Sequence, residues 1–159
     1  MTNSFTHLDD ANQPAMVDVG DKQITKRIAK ARSTVILDEK ILNLLDGDEI
    51  NTKKGPVFQT AIIAGVMAAK KTSELIPLCH PIALDNCKVE IRINKKREVV
   101  IDCLARTTGK TGVEMEALTG ASVAALTIYD MCKAFSHHIV IQETKLIEKT
   151  GGKQDFVSK

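Results

Sequence analysis

The sequence predicts an α+β sandwich, an antiparallel sheet with helices packed on one face. Three observations predict it. Residues 87–96, CKVEIRINKK, alternate, with Val89, Ile91 and Ile93 on one side and Lys88, Glu90 and Arg92 on the other, the period of a half-buried strand. From Ala117 to Phe135 only Asp130 and Lys133 are charged, which marks a long helix without a wide polar face. The order of elements is strand, helices, strand, strand, helix, strand, which resembles the split β-α-β, ferredoxin-like arrangement.

The chain has 159 residues, a length that suits one domain over 1–159 with loose ends at 1–13 and 151–159. AMVDV (15–19) reads as a short extended piece. Residues 26–37 end in β-branched residues and read as a strand. Asp38 is placed to cap a short helix, EKILNLL, that stops near Gly47. Residues 46–55 are a polar loop. Pro56 suits the first position of a second helix, which runs to Lys70 and Lys71, where the dipole favours cations. ELIPLCHPIALD (74–85) is a proline-bounded connection. Residues 87–96 and 97–107 form a hairpin turning at Lys95–Arg97. The long helix spans about 112–135, and HHIVIQETKLIEK (137–149) is the last strand.

Hydrophobic residues make up 43% and charged residues 26% of the chain, with a net charge of +2, values of an ordinary globular protein. Aromatics are 3%, leaving little for base stacking, so nucleic acid is not the expected partner. Cysteines stand at 79, 87, 103 and 132 without any C-x-x-C, so the sequence points to no metal centre and to reduced thiols in the cytoplasm. The apolar run from Ala61 to Ala69 is too short to span a membrane. The two nearly uncharged helices imply a homo-oligomer. One face of each lies on the sheet and another meets a second subunit, with Gly120, Ala121 and Ala124 allowing a close approach.

Several stretches carry candidate chemistry. TGKTGVEMEALTGAS (108–122) begins like a phosphate loop, but that motif needs glycine where Leu104 stands. Thr111 and Glu114 fit a capping box. Glu116 is not covered by it, and two carboxylates in a crevice can divide into an acid and a base. Asp130 and Lys133 are an i, i+3 pair able to touch, either as a plain helix ion pair or as working groups. Lys53 and Lys54 precede a helix N-terminus, where a cation is out of place unless an anion joins it. Pro77 and Pro81 stiffen the loop that presents Leu78, Cys79 and His80, and His80 suits proton transfer near neutral pH. A structural role for this loop stays open. His137 and His138 read as surface.

Together, MVDV, KGPVFQTAIIAGVMAAKKT, LIPLCHPI, TGKTGVEMEALTGASVAALTIYDMCKA and KTGGKQDF resemble the cyclic pyranopterin monophosphate synthase family, accessory protein C of molybdenum cofactor biosynthesis. The likeness runs from about residue 5 to residue 156. It implies a ferredoxin-like subunit, dimers grouped into a hexamer, and sites between subunits. It also implies conversion of 3′,8-cyclo-7,8-dihydroguanosine 5′-triphosphate to cyclic pyranopterin monophosphate with release of pyrophosphate, without a cofactor. By motif match, Asp130 and Lys133 are the central acid–base pair, and Lys54 holds phosphate or acts as an acid. Glu114 and Met115 contact substrate, and Glu116 is a supporting acid. Leu78, Cys79 and His80 line the base or sugar, while Arg27 and Asp18 complete the site from the N-terminal side, Arg27 toward phosphate. Some family members carry histidine where this chain has Ala15, so no catalytic role falls there. The match leaves the role of Lys110 open between orienting its loop and binding phosphate.

Overall fold

Along the chain the elements are β1 (Thr25–Ile36), α1 (Glu39–Leu42), β2 (Leu45–Asp46), β3 (Glu49–Thr52), β4 (Gly55–Pro56), α2 (Val57–Lys70), α3 (Thr72–Leu75), β5 (Asn86–Ile93), β6 (Val99–Gly109), α4 (Glu114–Cys132), β7 (Val140–Thr150) and β8 (Phe156–Val157). This computed structural model describes Leu8 and residues 11–158. The main sheet has the order β5-β6-β1-β7-β8, every neighbouring pair antiparallel. The α+β architecture read from the sequence is present.

Strand β1 is the centre of the sheet, and its alternation decides the layering. Ala29, Ala31, Ser33 and Val35 are fully buried on the helix side, and α4 packs over β1, β6 and β7. Alanine on this face leaves room for a helix to lie close. Helix α2 packs on β5 and along α4. The two helices approach at Gly65 and Gly120. A Cβ on Gly65 would stand 2.8 Å from the Gly120 carbonyl oxygen, and one on Gly120 would stand 2.6 Å from Cys103 Sγ. Gly120, Ala121 and Ala124 therefore admit α2 and the sheet of the same chain. The expectation that they receive a second subunit is corrected, because their side of α4 is the buried one.

The other face of the sheet is polar and is organised around Asp102, which is 4% exposed. Arg32 donates from Nε to Oδ1 at 2.7 Å and from Nη2 to Oδ2 at 3.0 Å. Arg92 Nη1 donates to Oδ2 at 2.6 Å, and Lys30 Nζ lies 3.6 Å away. Strands β5, β6 and β1 are thus tied through one carboxylate.

Other local expectations differ from the structure for physical reasons. Asp38 caps α1 as expected, accepting the Ile41 N–H at 3.2 Å, but the helix is a single turn. The loop expected at 46–55 contains a three-stranded sheet, β2-β3-β4, with Ile50 fully buried and Gly47 and Gly55 at φ +58° and +111° making its turns. Strands of two to four residues are too short to show a period. Pro56 is the N-cap of α2, extended at φ −71° and ψ 127°, and pairs with Asn51, so it precedes the helix. Thr111 is not the cap of α4. Val113 holds that position, its side chain unable to accept a bond, and the Glu114 carboxylate pairs with Lys149 instead of reaching back. Residues 15–19 pair with no strand. Phe156 and Val157, expected in a loose end, pair with Lys149 and Glu148.

Replacing Asp102 with alanine leaves Arg32, Arg92 and Lys30 facing one another without their shared partner. The expected loss is about 1–3 kcal/mol of stability in urea unfolding. Burial pushes this carboxyl up, but the bonds and charges of Arg32 and Arg92 outweigh it, so its pKa lies below the ordinary 3.8. A depressed folded pKa gives stability that is complete above the unfolded value and fades as pH falls through the folded one. The variant is expected to show a smaller loss of stability than the parent between about pH 4 and pH 2, and an equal acid slope in both proteins contradicts this.

Candidate active site

The C-terminal end of α4 brings three of the sequence-predicted groups together. Lys133 Nζ lies 2.7 Å from Asp130 Oδ1. Lys54 Nζ lies 3.0 Å from Oδ2 of the same carboxylate and donates to the Asp130 carbonyl at 3.1 Å. Lys54 arrives on the tight turn between β3 and β4, where Thr52 Oγ1 donates to the Gly55 carbonyl and accepts the Lys54 N–H, both at 3.1 Å. Lys133 and Lys54 hold the Asp130 carboxyl below its ordinary range. Asp130 in turn raises the Lys133 ammonium. The side chains are 56%, 53% and 50% exposed at Asp130, Lys54 and Lys133, so in the single chain this charged set faces outward.

The N-terminal end of α4 collects a second set. A cavity of about 330 Å³ is lined by Leu78, Cys79 and His80 from the proline-bounded loop and by Glu114, Met115 and Glu116 from the first helical turn. Glu116 is 3% exposed, and its Oε2 has no hydrogen-bond partner. Burial pushes its carboxyl above the ordinary range, and the charge of Glu114 adds to that. Burial also raises the Cys79 thiol, and Glu116 raises it further, which argues for a lining thiol over a nucleophilic one. His80 Nε2 meets the Val17 carbonyl at 2.7 Å. A carbonyl only accepts, so this nitrogen carries the hydrogen.

A neighbouring cavity of about 200 Å³ shares Gly112 and Glu114 and adds Arg27, Lys149, Gly152 and Lys153. Arg27 Nη2 donates to the Lys110 carbonyl at 3.3 Å, while its buried Nε has no partner. Lys110 Nζ donates to the Gly20 carbonyl. Asp18 accepts the Gly20 N–H at 2.7 Å in a local turn and lies outside both cavities. Among the described residues no three His, Cys, Asp or Glu side chains converge as a metal-binding group. No described helix is long and apolar enough to cross a membrane.

Apart from Asp18, the expected site residues therefore fall into two groups. Glu114 and Asp130 are 16 positions apart on one helix, about 24 Å at 1.5 Å per residue. Sequence reading missed Lys149, whose Nζ lies 2.9 Å from Glu114 Oε1. Its signal is a cation paired with the buried Ala29 in the sheet register, visible only once strand partners are known.

The chain is 53% identical to a protein of Xanthomonas campestris pv. campestris named cyclic pyranopterin monophosphate synthase, over 96% of this chain and 92% of that protein. It is 57% identical to a molybdenum cofactor biosynthesis bifunctional protein of Synechocystis, over 95% of this chain and 45% of that protein. With molybdenum cofactor biosynthesis protein 1 of Dictyostelium discoideum it shares 52% identity over 95% of this chain and 27% of the relative. The chain thus spans between about a quarter and nearly the whole of these relatives. The MoaC family model matches residues 16–152, and the chain belongs to the MoaC family.

Proposed function

We propose that the chain converts 3′,8-cyclo-7,8-dihydroguanosine 5′-triphosphate to cyclic pyranopterin monophosphate and pyrophosphate, as a phosphorus–oxygen lyase of molybdenum cofactor biosynthesis. The observation that carries this reading is the Lys54–Asp130–Lys133 cluster. Opening the purine's five-membered ring and closing a new ring onto the sugar moves protons at nitrogen and carbon. Forming the cyclic phosphate develops charge on departing pyrophosphate. A carboxylate held between two ammonium groups supplies an acceptor, donors and positive charge in one place. The name borne by the Xanthomonas relative supports the same reaction.

In this reading Asp130 and Lys133 exchange protons with the substrate, and Lys54 holds phosphate or donates a proton. Glu114 and Met115 contact the substrate, Glu116 is a supporting acid, and Leu78, Cys79 and His80 line the base or sugar. Arg27, with an unpaired buried Nε, faces phosphate, and Asp18 closes the N-terminal side. The 24 Å between the two groups supports a site between subunits, in which the C-terminal end of one α4 meets the N-terminal cavity of another. Two helices running antiparallel about a twofold axis make that match twice. Ile63 and Met67 on α2 and Met115 and Leu126 on α4 are exposed at 61%, 53%, 37% and 57%, apolar surface that such a partner would cover. We place the chain in the cytoplasm as a hexamer, a trimer of dimers, with 1–159 as one folding unit. The path β1-α2-β5-β6-α4-β7, with β1 between β6 and β7, supports a ferredoxin-like subunit.

Incubation of the purified protein with the cyclised triphosphate tests the reading by the appearance of pyrophosphate and the cyclic phosphate. Asp130→Asn and Lys133→Ala are each expected to lose at least about 100-fold in kcat with folding retained. Substrate binding without turnover in the parent protein would contradict it.

The raised Glu116 carboxyl generates a second expectation. The kcat/KM profile carries an ionisation above the ordinary 4.5 for glutamate, and Glu116→Gln removes it. An unchanged profile in that variant takes Glu116 out of the chemistry.

A further inference from the structure

Helix α2 starts without a cap of its own. Pro56, its N-cap, offers no side-chain bond, and the first turn contains no acidic residue. The first N–H groups of a helix nevertheless need partners. Here they come from outside the helix, because the Phe58 N–H donates to Glu49 Oε1 at 2.8 Å and the Gln59 N–H donates to Oε2 at 3.1 Å. The Ile50 N–H donates to Oε1 at 2.8 Å as well. One carboxylate on β3 thus binds its own strand to the start of α2, where the dipole favours its charge.

That strand leads directly into the turn that carries Lys54. The Lys54 side chain is 53% exposed, so its place depends on the turn that presents it. Glu49 also lies close enough to α4 for its charge to act on Cys132. After burial, its charge is the other cause that pushes the Cys132 thiol up to about 11, and Cys132 stands two positions beyond Asp130 on α4.

We propose that Glu49 is a positioning residue, which holds the β3–β4 hairpin on the N-terminus of α2 and so sets Lys54 against Asp130. Its importance for turnover rests on the reading of Lys54 and Asp130 given above; its effect on where Lys54 lies does not. Substrate need not touch Glu49. Removing it frees the hairpin and lets the Lys54 ammonium leave the carboxylate.

The test uses the full chain with Glu49→Ala and Glu49→Gln. Glutamine keeps one acceptor oxygen and loses the charge and the Gln59 bond, so it provides a milder variant should alanine fail to fold. The position of Lys54 is read by acetylation with a small amine-reactive ester, followed peptide by peptide by mass spectrometry, with Lys53 as the internal reference. The ratio of Lys54 to Lys53 labelling is expected to rise several-fold, more in alanine than in glutamine. Turnover falls by about tenfold or more through kcat, as expected when a reacting group is displaced by a fraction of an ångström, and a Lys54→Ala background abolishes any further fall. Glu39→Ala, which removes an exposed carboxylate of α1 paired with Arg97 instead, changes neither readout. A labelling ratio unchanged in both Glu49 variants overturns the proposal and leaves Glu49 as a helix cap alone. A raised ratio in the Glu49 variants of a parent protein that itself has no turnover upholds the positioning role and sinks the assigned reaction.

Discussion

A straight helix cannot bring its own ends together, and the rest of the account depends on that constraint. Helix α4 is 19 residues long, and its middle is pinned between the sheet and α2 by Gly120, Ala121 and Ala124. A lysine–aspartate–lysine cluster stands at one end, and at the other a cavity with the buried Glu116, one of whose carboxylate oxygens has no hydrogen-bond partner. The spacing between them is rigid, so a substrate that needs both has to find the second set on another chain. On the proposed reading a single chain presents two half-sites, and apolar residues of α2 and α4 are exposed alongside them.

The scaffold that keeps this spacing is built from small residues where close approach is needed and from one ionic knot where it is not. Alanines on β1 let α4 descend onto the sheet, and paired glycines let α2 run beside it. On the opposite face Asp102 gathers three cations from two strands and joins them across a third. Neither device touches the candidate site. Both restrict how far the sheet can slide under the helix that carries it, which connects core packing to the placement of Glu114 and Asp130.

Much of this was legible in the sequence where a pattern repeats or a short motif has a mechanism. The alternation at 87–96 and the uncharged run before Asp130 carried the sheet and the long helix. The i, i+3 spacing carried the Asp130–Lys133 contact. Short elements escaped, because β2, β3 and β4 contain too few residues to show a period and are held by Ile50 and by Glu49 reaching another element. The role of Thr111 as a cap was misread because Glu114 had a stronger partner in Lys149, which is distant in sequence. The inward-facing alanines and Gly120 were assigned to a neighbour because composition reports that a helix is crowded without reporting by what. Tertiary partners decided each of these cases, and a local pattern does not contain them.

The most direct measurement joins the two ends of α4 in separate chains. Glu114→Gln disables the N-terminal half-site and Asp130→Asn the C-terminal one, and each variant alone is expected to be nearly inactive. Mixed in equal amounts before assembly, half of the pairs contain one of each, and each such pair has one intact site of two. The account predicts recovery of about a quarter of the parent activity. A mixture no more active than its components would contradict it, since both half-sites would then have to work within one chain.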